Sequence, residues 1–154
     1  MSYLQCEGGK QVYYEDYGSG DSAVVLVHGW GMSLRTWDYS LGAIVSRGHR
    51  VVAIDHRGCG KSDKDFANMG VDAIASDVVA VVKDLGLKKV ILNGWSLGGA
   101  VVVEALRVGL ALNADLFAVA HWARALGRVV GGAVARPRVA VVVLIPARPV
   151  AAAL

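Results

Sequence analysis

Cysteine is nearly missing from this 154-residue chain: only Cys6 and Cys59 occur, far apart and with no Cys/His spacing around them. Such a pattern gives no disulfide framework, suggests no zinc site, and suits a reducing compartment. Long apolar runs are missing too. The stretch Val139 to Ile145 falls far short of the roughly 20 residues a membrane span needs, and Arg136, Pro137 and Arg138 precede it. The first ten residues lack a basic segment followed by an apolar one, so no secretory signal is expected and a cytoplasmic location is. Lysine and glutamate vanish altogether after residue 104, and with them Ser, Thr, Gln, Tyr and Met.

The net charge of +3 therefore has a location. Residues 1–104 hold 10 Lys and Arg against 12 Asp and Glu, whereas residues 105–154 hold 6 Arg and one Asp. Those arginines are neither clustered nor interleaved with aromatics, so nucleic acid is not an expected partner. A surface is rarely built from a segment in which Ala, Val, Arg, Leu, Gly and Pro dominate to this extent. The tail from residue 108 is accordingly expected to be an out-of-frame reading of GC-rich DNA, with one strand at 139–145.

What is present is a hydrophobic pattern. With 55% apolar and 19% charged residues, the chain has the composition of one compact domain with a buried core. Y-L-Q-C and Q-V-Y-Y-E-D flank Glu7-Gly8-Gly9-Lys10, which predicts a hairpin. Ala23–Val27, Val51–Ile54 and Val90–Leu92 are Val/Ile-rich runs without polar alternation, as strands covered on both faces are. Between them Trp37, Leu41, Ile44 and Val45 form one helical stripe, and Val71, Ile74, Val78, Val81 and Leu85 another; Leu97 to Arg107 reads as a third helix. A hairpin followed by alternating strands and helices predicts an α/β fold with a mainly parallel sheet and helices on both faces.

Each parallel strand is followed by a distinctive turn. Val27-His28-Gly29-Trp30-Gly31 follows the first, Asp55-His56-Arg57-Gly58-Cys59-Gly60-Lys61-Ser62 the second, and Gly94-Trp95-Ser96-Leu97-Gly98 the third. G-x-S-x-G between a buried strand and a helix puts a serine on a tight, strained turn, and Gly94 and Gly98 let neighbouring backbone approach it. The amide of Leu97, at the helix N-terminus, can then face a developing oxyanion. The plainer alternative is a glycine-rich turn with an incidental serine.

The three turns in this order resemble the α/β-hydrolase fold family from about Tyr3 to Arg107, and most of all its serine esterase, perhydrolase and cofactor-free haloperoxidase branch. The resemblance implies a domain whose N-terminal part is residues 1–107. It implies Ser96 as nucleophile, the N–H groups of Trp30 and Leu97 as oxyanion hole, and a small ester-type substrate. His28, Gly29, Asp55, Arg57 and Ser62 would then serve the architecture of the loops, with no cofactor and no metal.

In that family an acid and a histidine follow the serine. After Ser96 this chain offers only Glu104, Asp115 and His121. Glu104 lies eight residues along the elbow helix and is excluded, and an Asp115–His121 pair is not expected, because no room is left for the family's later strands. His49 precedes a strand, at the wrong end of the sheet, while His56 sits in a loop motif. The chain is thus expected to be a truncated hydrolase, impaired for want of triad acid and base, with an open edge on the Val90–Leu92 strand that lowers solubility. A non-catalytic binding protein, or a fragment completed by another chain, is the alternative.

Overall fold

The computed structural model describes residues 2–109 in full, and residues 115–121 and 139–144 by their backbone. Seven strands form one sheet in the order β1-β2-β4-β3-β5-β6-β7. β1 (Ser2–Gln5) and β2 (Gln11–Tyr17) make the expected hairpin, joined by a short 3-10 turn at Glu7–Gly9. β2 pairs antiparallel with β4 (Arg50–Asp55); beyond it β3 (Ser22–Val27) and β5 (Lys89–Trp95) continue the sheet in parallel.

Alternation along the strands divides the core between two faces. Val12, Tyr14, Val25, Val27, Val52, Ile54, Val90 and Leu92 point to one side. There they pack against α2 (Val71–Asp84) and α3 (Leu97–Gly109) through Ile74, Val78, Val81, Val101, Val102 and Ala105. On the other side Tyr13, Leu26, Val51 and Ala53 meet Trp37, Leu41, Ile44 and Val45, brought by a 3-10 turn and α1 (Asp38–Val45). Removing a fully buried Val or Leu side chain from water is worth about 1.5–3 kcal/mol each, which makes these two layers the main source of stability. β5 departs from the expectation of two covered faces: Val90 and Leu92 are buried, but Ile91 remains 43% exposed.

Residues beyond α3 also correct the sequence reading. β6 (Asp115–His121) runs parallel to β5 along its whole length, Asp115 opposite Lys89 and His121 opposite Trp95. The expected open edge of β5 is therefore occupied. β7 (Val139–Leu144) pairs with β6 and not with β5. D-L-F-A-V-A-H holds the same apolar run that marks β5; its position in a compositionally odd tail obscured it.

Candidate active site

Parallel strands joined by crossovers leave all their carboxyl ends at one edge, so the turns after β3, β4 and β5 are neighbours although they are tens of residues apart in sequence. Ser96 occupies the junction of β5 and α3. Its φ is 56°, and it is the only non-glycine with positive φ among the described residues. Left-handed backbone costs an L-residue roughly 1–2 kcal/mol, and it persists where surrounding packing over-determines it. Here the packing is visible. A Cβ on Gly94 would fall 2.1 Å from the Gly98 carbonyl oxygen, and one on Gly98 would fall 2.2 Å from that of Val27. The first turn of α3 is thus seated directly on the end of β3, and Gly99 N–H closes the elbow by donating to the Ser96 carbonyl at 2.9 Å.

The loop after β3 lies over the serine. A Cβ on Gly29 would meet Ser96 Cβ and Trp95 Cε3 at 3.2 Å and Met32 Sδ at 3.3 Å. Beyond Gly29, Trp30 projects with 72% of its surface exposed. Trp95 and Met32 are partly exposed beside it, so the rim of the site is apolar and aromatic. Sequence reasoning did not single out Met32; only the loop's path brings it there.

Underneath, polar side chains tie the loops to the strands. Asp55 is buried, and its two oxygens accept from Leu34 N–H at 2.6 Å and Lys61 N–H at 2.8 Å, one in each flanking loop. Ser62 Oγ donates to the Asp55 carbonyl and accepts from Tyr13 N–H at 2.8 Å. Arg57 makes two bonds of 2.7 Å to Asp77 on α2, reaches Glu7 and the Asn68 carbonyl, and lies over the Phe66 ring.

The two histidines at this edge face inward. His28 and His56 are both buried and stack at 4.0 Å between ring centroids. His28 Nδ1–H donates to the Gly29 carbonyl at 2.8 Å, and His56 Nδ1 faces the Arg57 carbonyl at 3.3 Å. Burial, reinforced by the neighbouring His56, pushes the His28 imidazole down to about 4, so the ring is neutral at pH 7. Burial likewise lowers His56.

The remaining candidates are distributed along the fold. His49 precedes β4, at the edge opposite Ser96. Glu104 lies midway along α3, paired with Arg107. Asp115 and His121 stand at opposite ends of β6, about 20 Å apart at strand rise, so they do not form an acid–histidine pair; His121 alone shares the edge of the elbow.

Comparison with known proteins agrees with this geometry. A family model described as alpha/beta hydrolase fold matches residues 22–108. The chain is 39% identical over 104 residues to a non-heme haloperoxidase of Rhodococcus erythropolis, covering 68% of this chain and 38% of that protein. It is 37% identical over 103 residues to a bifunctional esterase/perhydrolase of Acinetobacter calcoaceticus, covering 66% and 37%. Among solved structures, an esterase from Exiguobacterium antarcticum superposes with a TM-score of 0.70 at 30% identity, over 78% of this chain and 44% of its own. A bromoperoxidase from Bacillus anthracis gives 0.69 at 34%, again over 78% and 44%. The chain thus spans well under half the length of the relatives it matches.

Proposed function

The chain belongs to the alpha/beta hydrolase fold family, and from that premise we propose that its site serves hydrolysis of a small-molecule ester or related acyl bond, with Ser96 as nucleophile. The observation that carries this reading is the left-handed Ser96 at the β5–α3 junction, lodged against Gly29 of the loop after β3. A strained serine over-determined by glycine contacts on two sides has no purpose in a plain strand-to-helix turn. In this reading Ser96 Oγ attacks the acyl carbon and the carbonyl oxygen becomes an oxyanion. The N–H groups of Trp30 and Leu97 receive it, the latter at the positive end of the 13-residue α3. Collapse expels the alcohol, and water then releases the acid from the acyl-serine. His28 and Asp55 brace the loop that aims the Trp30 amide, and Arg57 anchors the neighbouring one.

The attack also needs a base for the serine proton. Among the residues with described side chains, His28 and His56 commit Nδ1 to backbone carbonyls, and His49 stands at the far edge. In this reading the described side chains supply the nucleophile and the oxyanion site without a complete triad, and the hydrolysis that they alone support is slow. Labelling by a fluorophosphonate probe tests both parts. We expect slow labelling that Ser96→Ala abolishes. Equal labelling of the Ser96→Ala protein would remove the nucleophile assignment, and labelling as fast as that of an intact family esterase would remove the impairment.

A further inference from the structure

Glu15 is a buried carboxylate that the hydrolytic reading does not use. It sits within β2 at 2% exposure, on the face it shares with Tyr13 and opposite Ala53 of β4. A charge out of water is costly unless it is paired and hydrogen-bonded, so what this one holds is informative. Its Oε1 accepts from Tyr13 OH at 2.7 Å, and its Oε2 accepts from Tyr17 OH and from the Arg35 guanidinium. The Tyr13 oxygen in turn accepts from Lys61 Nζ at 3.2 Å. Arg35 belongs to the 3-10 turn Leu34–Trp37, which ends the loop after β3, and Lys61 belongs to the loop after β4. Asp55 holds these same two places by their backbone, at Leu34 N–H and Lys61 N–H. Both loops are therefore gripped twice, by Asp55 through main chain and by Glu15 through side chains.

We propose that Glu15 and Arg35 are positioning residues, a clamp that fixes the far end of the loop from Gly29 to Ser33 and so aims the Trp30 N–H at the oxyanion. The clamp rests on the hydrolytic reading of Ser96. The near end of the loop is held by His28, whose Nδ1–H donates to the Gly29 carbonyl at 2.8 Å. Between the two ends the loop is lightly tied: Met32 N–H reaches the Gly29 carbonyl at a long 3.4 Å, and Gly31 at φ 65° brings backbone freedom. Its shape therefore depends on how its ends are held. Arg35 also meets Asp38 at 3.2 Å, but both those side chains are about half exposed, and such pairs contribute little. The buried end of the guanidinium's grip is Glu15, which is attached to a central strand through two tyrosines. An oxyanion donor works by standing in place before charge develops, so slack in this clamp weakens the chemical step more than binding.

The test labels the full chain with a fluorophosphonate, whose phosphoryl oxygen takes the place of the oxyanion as Ser96 Oγ displaces fluoride. Glu15→Gln and Arg35→Met should each lower the limiting labelling rate about ten-fold and leave the apparent probe affinity within about two-fold. The double variant should be no slower than either single one, and Arg35→Lys should keep at least about half the wild-type rate. Asp16→Asn, which breaks the pair with Arg50 on the same strand at the edge away from these loops, controls for lost stability and should label normally. A second readout does not need the serine. Amide exchange at Leu34 and Thr36 should quicken at least about five-fold in Glu15→Gln and Arg35→Met, with Ala53 of β4 as the unchanged reference. Wild-type labelling in both variants, unchanged exchange at Leu34 and Thr36, or equal slowing in Asp16→Asn overturns the clamp and leaves a Ser96-dependent reaction standing. Labelling that survives Ser96→Ala removes the nucleophile, and with it the clamp's part in the reaction. Should Glu15→Gln fail to fold, Arg35→Met decides, because that side chain is 52% exposed.

Discussion

Gly94 and Gly98 are in backbone contact across the elbow, so close that a methyl group on Gly94 would stand 2.1 Å from the Gly98 carbonyl oxygen. No flexible side chain can yield there, since the opposing atoms are backbone. Gly94→Ala and Gly98→Ala are each expected to cost roughly 2–4 kcal/mol in urea unfolding and to abolish probe labelling of Ser96. Wild-type stability in Gly98→Ala would show that α3 does not rest on the end of β3 as described, and in Gly94→Ala that the elbow between β5 and α3 is not closed as described.

Ser96 itself holds stored strain. At φ 56°, replacement by glycine removes a Cβ penalty that alanine keeps. Both Ser96→Gly and Ser96→Ala should be dead toward the probe, while Ser96→Gly unfolds roughly 0.5–1 kcal/mol later than Ser96→Ala. The reverse order of stabilities would contradict a left-handed serine.

Arg57 and Asp77 form a buried pair with side-chain exposures of 2% and 6%. Removing only the cation strands a carboxylate away from water, so Arg57→Met is expected to cost about 3–5 kcal/mol. Adding Asp77→Asn to that variant should restore part of the loss. A double-mutant cycle in chemical denaturant measures this, and strict additivity of the two changes would argue against direct coupling.

Acid sensitivity should trace partly to Glu15. Burial is the largest influence on this carboxyl and pushes it upward, but hydrogen bonds from Tyr17, Tyr13 and Arg35, with the charge of Arg35, together hold it below its ordinary value of 4.5. Between the lowered folded value and the ordinary unfolded one, the unfolded chain binds more protons, so stability rises with pH. The contribution is complete above the usual carboxylate range and disappears as pH falls through the folded value. Unfolding free energies measured from pH 6 down to pH 3 should fall less steeply in Glu15→Gln than in the wild type; parallel curves would assign the acid loss to other groups.

Much of this site can be read in the sequence because its motifs sit at the ends of apolar runs. Val90–Leu92 followed by G-W-S-L-G announces both strand and elbow, and the helical stripe from Val71 to Leu85 reappears as α2. β6 escaped notice for a compositional reason: Leu116 to Ala120 carries a strand signal inside a segment whose residue usage resembles no ordinary surface. Asp115 and His121 look like neighbours in sequence, but an extended strand separates them by its full length.

By itself the sequence determined which residues enter strands and helices, through the period of its apolar positions, and which serine stands on a strained turn, through the two glycines that a tight elbow requires. Only the tertiary structure decided what meets at the carboxyl edge. His28 and His56 lie in different turns of the sequence, yet parallel strands β3 and β4 end side by side and stack the two rings. The physical reason is one of reach. Hydrophobic periodicity is local, so a sequence expresses it directly, whereas the convergence of loops depends on strand order and register, which the packing of the whole sheet sets.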